Sequence, residues 1–207
     1  MKVLFFDIGY TLVDESDVWE RRCKEQAEFE ESKKLCLTAK DIYNEIQKAS
    51  ILQAPQFLTV IDKYKFENVA PYRSELEKLY DEAPAVISAL SKKYELGIIA
   101  NQSSGLKKRL EEFGILKYFK YIISSGDVQI AKPDIRIFKY ALNVAKCEPD
   151  EACMIGDRLD NDIYPAKYLG MKTVWIKQGF GALQEPLSEF EKSDYIVKNL
   201  SELLTIL

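Results

Sequence analysis

Five short apolar runs constrain this chain more than any other feature: Val3–Phe6, Leu96–Ala100, Tyr121–Ile123, Ala152–Ile155 and Thr173–Ile176. They are rich in β-branched residues and continuous, not alternating. Continuity marks a strand covered on both faces, as in a parallel sheet, whereas alternation marks a strand with one wet face. A sixth run, Tyr195–Val197, ends the series. Helical patterns separate the later runs. Pro84 opens Ala85–Lys93, Leu106–Phe113 is amphipathic, Pro133 opens Asp134–Ala145, and Asn161–Leu169 runs into Gly170, a good helix stop. Strands alternating with helices predict an α/β fold built on an open, doubly wound, mostly parallel sheet.

The stretch from Asp14 to Asp81 breaks that rhythm, with no strand run apart from the ambiguous Phe57–Ile61. Asp17–Leu37 is densely charged, with Val18, Trp19, Cys23 and Ala27 near helical spacing. Thr38-Ala39-Lys40-Asp41 forms a capping-box pattern ahead of Ile42, Ile46 and Ala49. Pro55 opens a further helical pattern through Phe57, Leu58, Ile61 and Tyr64. The expected organisation is a core of residues 1–13 and 82–207 with a small helical bundle, residues 14–81, inserted after the first strand. Its charge runs read as solvated helix faces, and Trp19 and Trp175 read as packing residues.

Composition narrows the function by exclusion. A net charge of −4 and a pI of about 5.2 leave no basic footprint for nucleic acid. The apolar runs fall far short of the roughly 20 residues that span a membrane, and the N-terminus is too short and too soon acidic for a signal peptide. The four cysteines, Cys23, Cys36, Cys147 and Cys153, form no C-x-x-C pair, so reduced thiols and a cytoplasmic location are expected. Histidine is absent altogether. Triads, bases and metal ligands that need an imidazole are therefore excluded, and any catalysis uses carboxylates, Lys, Tyr, Ser/Thr, Cys or a bound ion.

Asp7 stands out against this background. It ends the first apolar run and precedes the turn at Gly9. A carboxylate buried there would cost several kcal/mol, roughly, unless paired, hydrogen-bonded or metal-bound; the plainer alternative is a surface Asp just past a strand. Ligands of a doubly wound sheet sit beyond the carboxyl ends of its strands. Four such ends offer Asp7, Gly9 and Thr11; Asn101 to Ser104; Ser124 to Asp127 with Lys132-Pro133 beyond; and Gly156 to Asp162. This inventory suits a hard divalent cation and an anionic substrate. Asp7, a backbone carbonyl in the Gly9 turn and Asp157 could give Mg²⁺ three oxygen ligands. Lys132 and Asn101 could hold phosphoryl oxygens. Asp160 reads as a helix cap, and Arg158, in the same loop, is assigned no role.

These residues resemble the motifs of the haloacid dehalogenase-like hydrolase superfamily. The first motif stands as Asp7-Ile8-Gly9-Tyr10-Thr11-Leu12, the second as Ile98-Ile99-Ala100-Asn101-Gln102, the third as Lys132-Pro133, and the fourth as Gly156-Asp157-Arg158-Leu159-Asp160-Asn161-Asp162. Each is weak alone; four in order at strand ends are strong. The resemblance implies a Rossmann-like core with a helical cap and a Mg²⁺-dependent hydrolase of small phosphorylated metabolites. By the same resemblance Asp7 would be the nucleophile and form an aspartyl-phosphate. Asp7, the Gly9 carbonyl and Asp157 would hold the metal, and Lys132 would bridge Asp7 and the phosphoryl group. Thr11 would support the first loop, and Asp162 would orient the metal site from behind its ligands.

The chain departs from the family pattern twice. Gly9 stands where the phosphatases usually carry a second Asp as general acid–base, a contribution typically worth about 10²–10⁴ in rate. Ala100 stands where a Ser or Thr usually binds phosphate, leaving Ser103 or a backbone N–H to replace it. Three readings follow. The first is a working phosphatase, with Asp14, Tyr10 or a cap residue supplying the missing acid. The second is a regulator that binds phosphate or a metabolite without turnover. The third is a dehalogenase or other carbon-centred hydrolase, which Gly9 and the intact Gly156-Asp157 disfavour.

Overall fold

The computed structural model describes all 207 residues. β1 (Val3–Phe6) leads through a tight loop to a two-residue strand, β2 (Val13–Asp14). Four helices follow: α1 (Ser16–Glu28), α2 (Glu30–Lys34), α3 (Ala39–Ile51) and α4 (Gln56–Tyr64). β3 (Lys78–Leu79) then returns beside β2. The rest of the chain runs α5 (Ala83–Leu90), β4 (Glu95–Ala100), α6 (Leu106–Glu112), β5 (Phe119–Ser124), α7 (Ser125–Val128), α8 (Ile135–Ala145), β6 (Ala152–Gly156), α9 (Tyr164–Tyr168), β7 (Lys172–Ile176), β8 (Tyr195–Val197) and α10 (Leu203–Ile206).

Six strands make one sheet in the order β5-β4-β1-β6-β7-β8, with every pairing parallel. β1 lies at the centre, where the winding reverses: β4 and β5 extend to one side, β6 to β8 to the other. All four of its residues are fully buried, which explains why an uninterrupted apolar run was needed there. Side chains alternate between the faces. Leu4 and Phe6 join the larger core, with Val86 and Ile87 of α5 and Leu106 and Leu110 of α6. Val3 and Phe5 join the opposite core, with Ile137, Phe138 and Ala141 of α8. Each such side chain contributes roughly 1.5–3 kcal/mol by leaving water.

The insertion between β2 and β3 has its own cluster, which includes Trp19 and Cys23 of α1, Ile42 and Ile46 of α3, and Phe57 and Val60 of α4. The Thr38 box forms at the start of α3: Thr38 Oγ1 accepts from the Asp41 N–H at 3.2 Å and Asp41 Oδ2 accepts from the Thr38 N–H at 2.9 Å. The cluster does not end with the insertion. Tyr10, from the loop after β1, and Phe180, from the loop after β7, complete it, with their rings edge to face at 5.5 Å.

Two expectations about elements need correction. β2 and β3 pair antiparallel, Val13 with Leu79 and Asp14 with Lys78, across a stretch expected to hold no strand. Two-residue strands are too short to leave a periodic signal. The expected helix Asn161–Leu169 is a π-helical turn at Leu159–Ile163 followed by the short α9. Pro165 lacks the N–H that would continue an α-helical ladder there. The four cysteines are free thiols, and no helix is long and apolar enough to cross a membrane.

Candidate active site

The loop after β1 is a tight curl. The Ile8 carbonyl accepts from the N–H groups of Thr11, Leu12 and Val13, and the Tyr10 N–H donates to the Val13 carbonyl at 2.7 Å. Tyr10 adopts a left-handed conformation, φ 49°, to make that turn. Asp7 stands at its entrance. Its N–H donates to the Ile155 carbonyl at 2.9 Å, extending the β1–β6 ladder by one step, so Asp7 lies beside the strand end from which Asp157 follows.

Lys132 reaches this point from the loop ahead of α8, its side chain only 2% exposed. Its Nζ lies 2.7 Å from Asp7 Oδ1 and 2.6 Å from Asp162 Oδ1. The other Asp162 oxygen accepts from the Arg158 N–H at 3.0 Å. Gly156 makes room for this arrangement, since a Cβ there would fall on the Asp162 carboxyl. Asp7, Asp157 and Asp162 each present an oxygen, all within 4.8 Å of one another. Trp175 Nε1 donates to the Asp157 carbonyl at 2.7 Å and anchors that residue from behind.

The electrostatics follow from this crowding. Burial, then the charges of Asp162 and Asp7, push Asp157 well above the usual carboxylate range. Burial likewise lifts Asp162 to about 6, partly offset by Lys132. Burial opposes the charge of Lys132, but Asp162 and Asp7 together outweigh it and raise the ammonium above its ordinary value. When all three carboxylates are ionised they face one ammonium and leave two negative charges uncompensated, and Asp157 is buried without a side-chain hydrogen bond. An all-oxygen donor set with that deficit fits a hard divalent cation.

The remaining candidates sit close by but are differently engaged. Asn101 Nδ2 donates to the Lys132 carbonyl at 2.8 Å and Asn101 Oδ1 accepts from the Lys132 N–H at 2.7 Å. Its amide therefore clamps the lysine loop and keeps one N–H free for a ligand. Thr11 is fully buried, and its hydroxyl finds no partner. Gly9 lines the central cavity, whereas Ser103 lines a neighbouring open depression.

Several groups at the site were not legible in the sequence. Glu15, hidden in an acidic stretch that read as solvated, is buried against Gly9. Its Oε2 accepts from Trp19 Nε1 at 3.0 Å, and its Oε1 lies 2.7 Å from the Tyr72 hydroxyl. Burial lifts its carboxyl to about 7 against those two hydrogen bonds. The same hydroxyl lies 2.8 Å from Glu77 Oε1, which Arg109 Nη1 meets at 3.0 Å. Arg158, assigned no role, is 13% exposed; it pairs with Asp160 and reaches the Ala54 carbonyl of the insertion at 3.4 Å. Asp160 is therefore not a helix cap: it holds Arg158 and accepts from Gln184 Nε2 at 2.8 Å.

These residues enclose a cavity of about 140 Å³. Asp7, Gly9, Asn101, Lys132, Asp157 and Asn161 line it from the strand ends, and Glu15, Trp19 and Gln56 line it from the insertion. Its walls are polar apart from Tyr10 and Trp19. The arrangement can bring a carboxylate oxygen, an ammonium and a carboxylate cluster that could hold a cation to bear on one small anion.

Residues 4–176 match the family model of the haloacid dehalogenase-like hydrolases. The glyceraldehyde 3-phosphate phosphatase of Pyrococcus furiosus is 30% identical over the whole chain and 93% of its own length. The phosphoserine phosphatase of Thermus thermophilus is 33% identical over 49% of this chain and 41% of its own. Among solved structures, the HAD phosphatase from Thermococcus onnurineus superposes with a TM-score of 0.71 at 26% identity, covering all of this chain and 97% of the other.

Proposed function

This chain belongs to the haloacid dehalogenase-like hydrolase family, and from that premise we propose that it is a Mg²⁺-dependent phosphatase of small phosphorylated metabolites. The observation that carries the reading is the Asp7 carboxylate. One of its oxygens sits on a buried lysine within a cluster two positive charges short of balance, facing a small polar cavity. The named activities of the relatives support a short phosphorylated substrate, and a cavity of about 140 Å³ suits one.

In this reading Asp7 attacks phosphorus, the bond to the leaving oxygen breaks, and water later releases orthophosphate from the aspartyl-phosphate. Lys132 holds the attacking carboxylate and neutralises the phosphoryl oxygens. Asn101 fixes the Lys132 backbone and offers its free N–H to the phosphoryl group. Thr11 supports the curl of the first loop. Asp7, the Gly9 carbonyl and Asp157 are the groups that would hold Mg²⁺, with Asp162 positioned through Lys132 and the Arg158 N–H. The ion, when bound, supplies the charge neutralisation that lets a carboxylate approach an anionic phosphoester. Residues 14–81 serve as a cap over a core of 1–13 and 82–207, closing the cavity with Trp19 and Gln56 and excluding bulk water.

Phosphate release from 4-nitrophenyl phosphate and a panel of sugar and amino-acid phosphates tests this, with Mg²⁺ or chelator and with Asp7→Asn beside the wild type. The expected result is Mg²⁺-dependent release that vanishes in Asp7→Asn. Release that persists in Asp7→Asn, or is indifferent to chelator, would overturn it.

A further inference from the structure

Gly9 leaves no side chain where the phosphatase reading needs an acid, and the structure fills that space from elsewhere. A Cβ built on Gly9 would have Glu15 Cδ at 2.8 Å and Oε2 at 3.2 Å, with Oε1 nearer still. The Glu15 carboxyl thus takes the room of the absent residue-9 side chain, and both Gly9 and Glu15 line the cavity that holds Asp7. It is also fixed there. Trp19 Nε1 holds Oε2 and the Tyr72 hydroxyl meets Oε1, so this carboxyl is as tightly placed as one on the first loop would be.

Tyr72 is itself held from behind. The Tyr72 hydroxyl sits between two carboxyl oxygens, Glu15 Oε1 at 2.7 Å and Glu77 Oε1 at 2.8 Å. A phenol has one proton and can donate to only one of them. Arg109 Nη1 lies 3.0 Å from Glu77 Oε1, whereas no cationic side chain meets Glu15. Tyr72 and Trp19 hold the Glu15 carboxyl at the cavity wall, with Glu77 and Arg109 behind Tyr72.

Resting on the phosphatase reading, we propose that Glu15 is the catalytic general acid and base of this enzyme, replacing the side chain that Gly9 lacks. As Asp7 Oδ bonds to phosphorus and the bond to the leaving oxygen breaks, the Glu15 proton passes to that oxygen and the product leaves as an alcohol. The Glu15 carboxylate then takes a proton from the water whose oxygen attacks the aspartyl-phosphate. The bond from phosphorus to Asp7 breaks, orthophosphate departs, and Glu15 is again the acid. Tyr72, Glu77 and Arg109 are positioning residues for it.

The test compares wild type, Glu15→Gln, Gly9→Asp and Gly9→Asp/Glu15→Ala on 4-nitrophenyl phosphate, phenyl phosphate and an alkyl phosphate. Glu15→Gln should slow alkyl and phenyl turnover by about 10²–10⁴-fold. With 4-nitrophenyl phosphate, whose leaving group needs no proton, it should release one equivalent in a burst and then stall, with phosphate left on the protein by intact mass. Gly9→Asp alone should gain nothing, because its side chain collides with Glu15, whereas the double variant should recover alkyl turnover above Glu15→Gln. A Glu15→Gln enzyme within about threefold of wild type on all three substrates, or slowed equally on all three without a burst, would overturn the proposal. If Glu15→Gln fails to fold, the double variant decides: recovery supports the proposal and no recovery overturns it. Wild-type inactivity on every phosphate, or survival of turnover in Asp7→Asn, would instead overturn the phosphatase reading itself, and this assignment with it.

Discussion

Asn101 exchanges two hydrogen bonds with the backbone of Lys132, and Lys132 alone balances Asp7 and Asp162. At the scale of single residues, this makes lysine placement the sensitive variable. Asn101→Ala should cost about 1 kcal/mol in urea denaturation, the usual net contribution of a hydrogen bond, and should lower kcat more than it raises KM. Lys132→Met strands the buried Asp162 and the half-buried Asp7. It should destabilise the metal-free protein at pH 8 by about 3–5 kcal/mol and end phosphate release; a stable, active Lys132→Met protein would contradict the role given to this ammonium. The sequence made these residues visible because each follows an apolar run at a strand end, where a charge has no packing explanation. Glu15 was invisible for the opposite reason. It lies among acidic residues, and only the curl of residues 8–13 and the placement of α1 bring it against Gly9. Arg158 gave no signal because its contact with the insertion, at the Ala54 carbonyl, is far away in sequence.

Among the elements, the sheet strands were legible and the joints were not. Burial on both faces leaves a mark on every residue of a central strand such as β1. The β2–β3 ribbon has two residues per strand, is set by the return of the chain beside itself, and leaves no pattern to read. Capping lies between these cases, because the Thr38 box is a four-residue signal and it formed as the spacing implied. Thr38→Ala should cost about 1 kcal/mol of stability with kcat/KM unchanged, since α3 contributes packing and not chemistry; a kinetic defect would show that α3 reaches the cavity. Phe180 is a joint of another kind. Its ring meets Tyr10 at 5.5 Å, Trp19 at 5.6 Å and Tyr43 at 5.2 Å, and so fastens the loop after β7 to α1 and α3. Phe180→Ala should cost about 3–5 kcal/mol by denaturation and raise KM as the insertion loosens over the cavity.

For the molecule as a whole, the uncompensated carboxylates tie stability to pH and to the ion. In the metal-free protein the folded-state values of Asp157 and Asp162 are raised, the latter to about 6, and Glu15 shifts the same way to about 7. A carboxyl raised on folding binds more protons in the native state, so stability is greatest below its unfolded value and falls as pH rises through its folded one. Metal-free protein should therefore lose thermal stability between pH 5 and pH 8. Mg²⁺ added to the deprotonated cluster should raise the melting temperature by several degrees at pH 8, roughly, and by little at pH 5. Equal shifts at both pH values would argue against ion binding at these three residues. The chain has only two tryptophans. Trp175 is bonded to the backbone of Asp157 behind the ion cluster, and Trp19 to the Glu15 carboxyl at the cavity wall. Both lie in positions where filling the cavity changes their surroundings, so the unlabelled protein is its own fluorescent reporter. Emission from Trp175 should follow added Mg²⁺ and emission from Trp19 an added phosphate ester, and a Trp19→Phe protein should separate the two signals without any added dye.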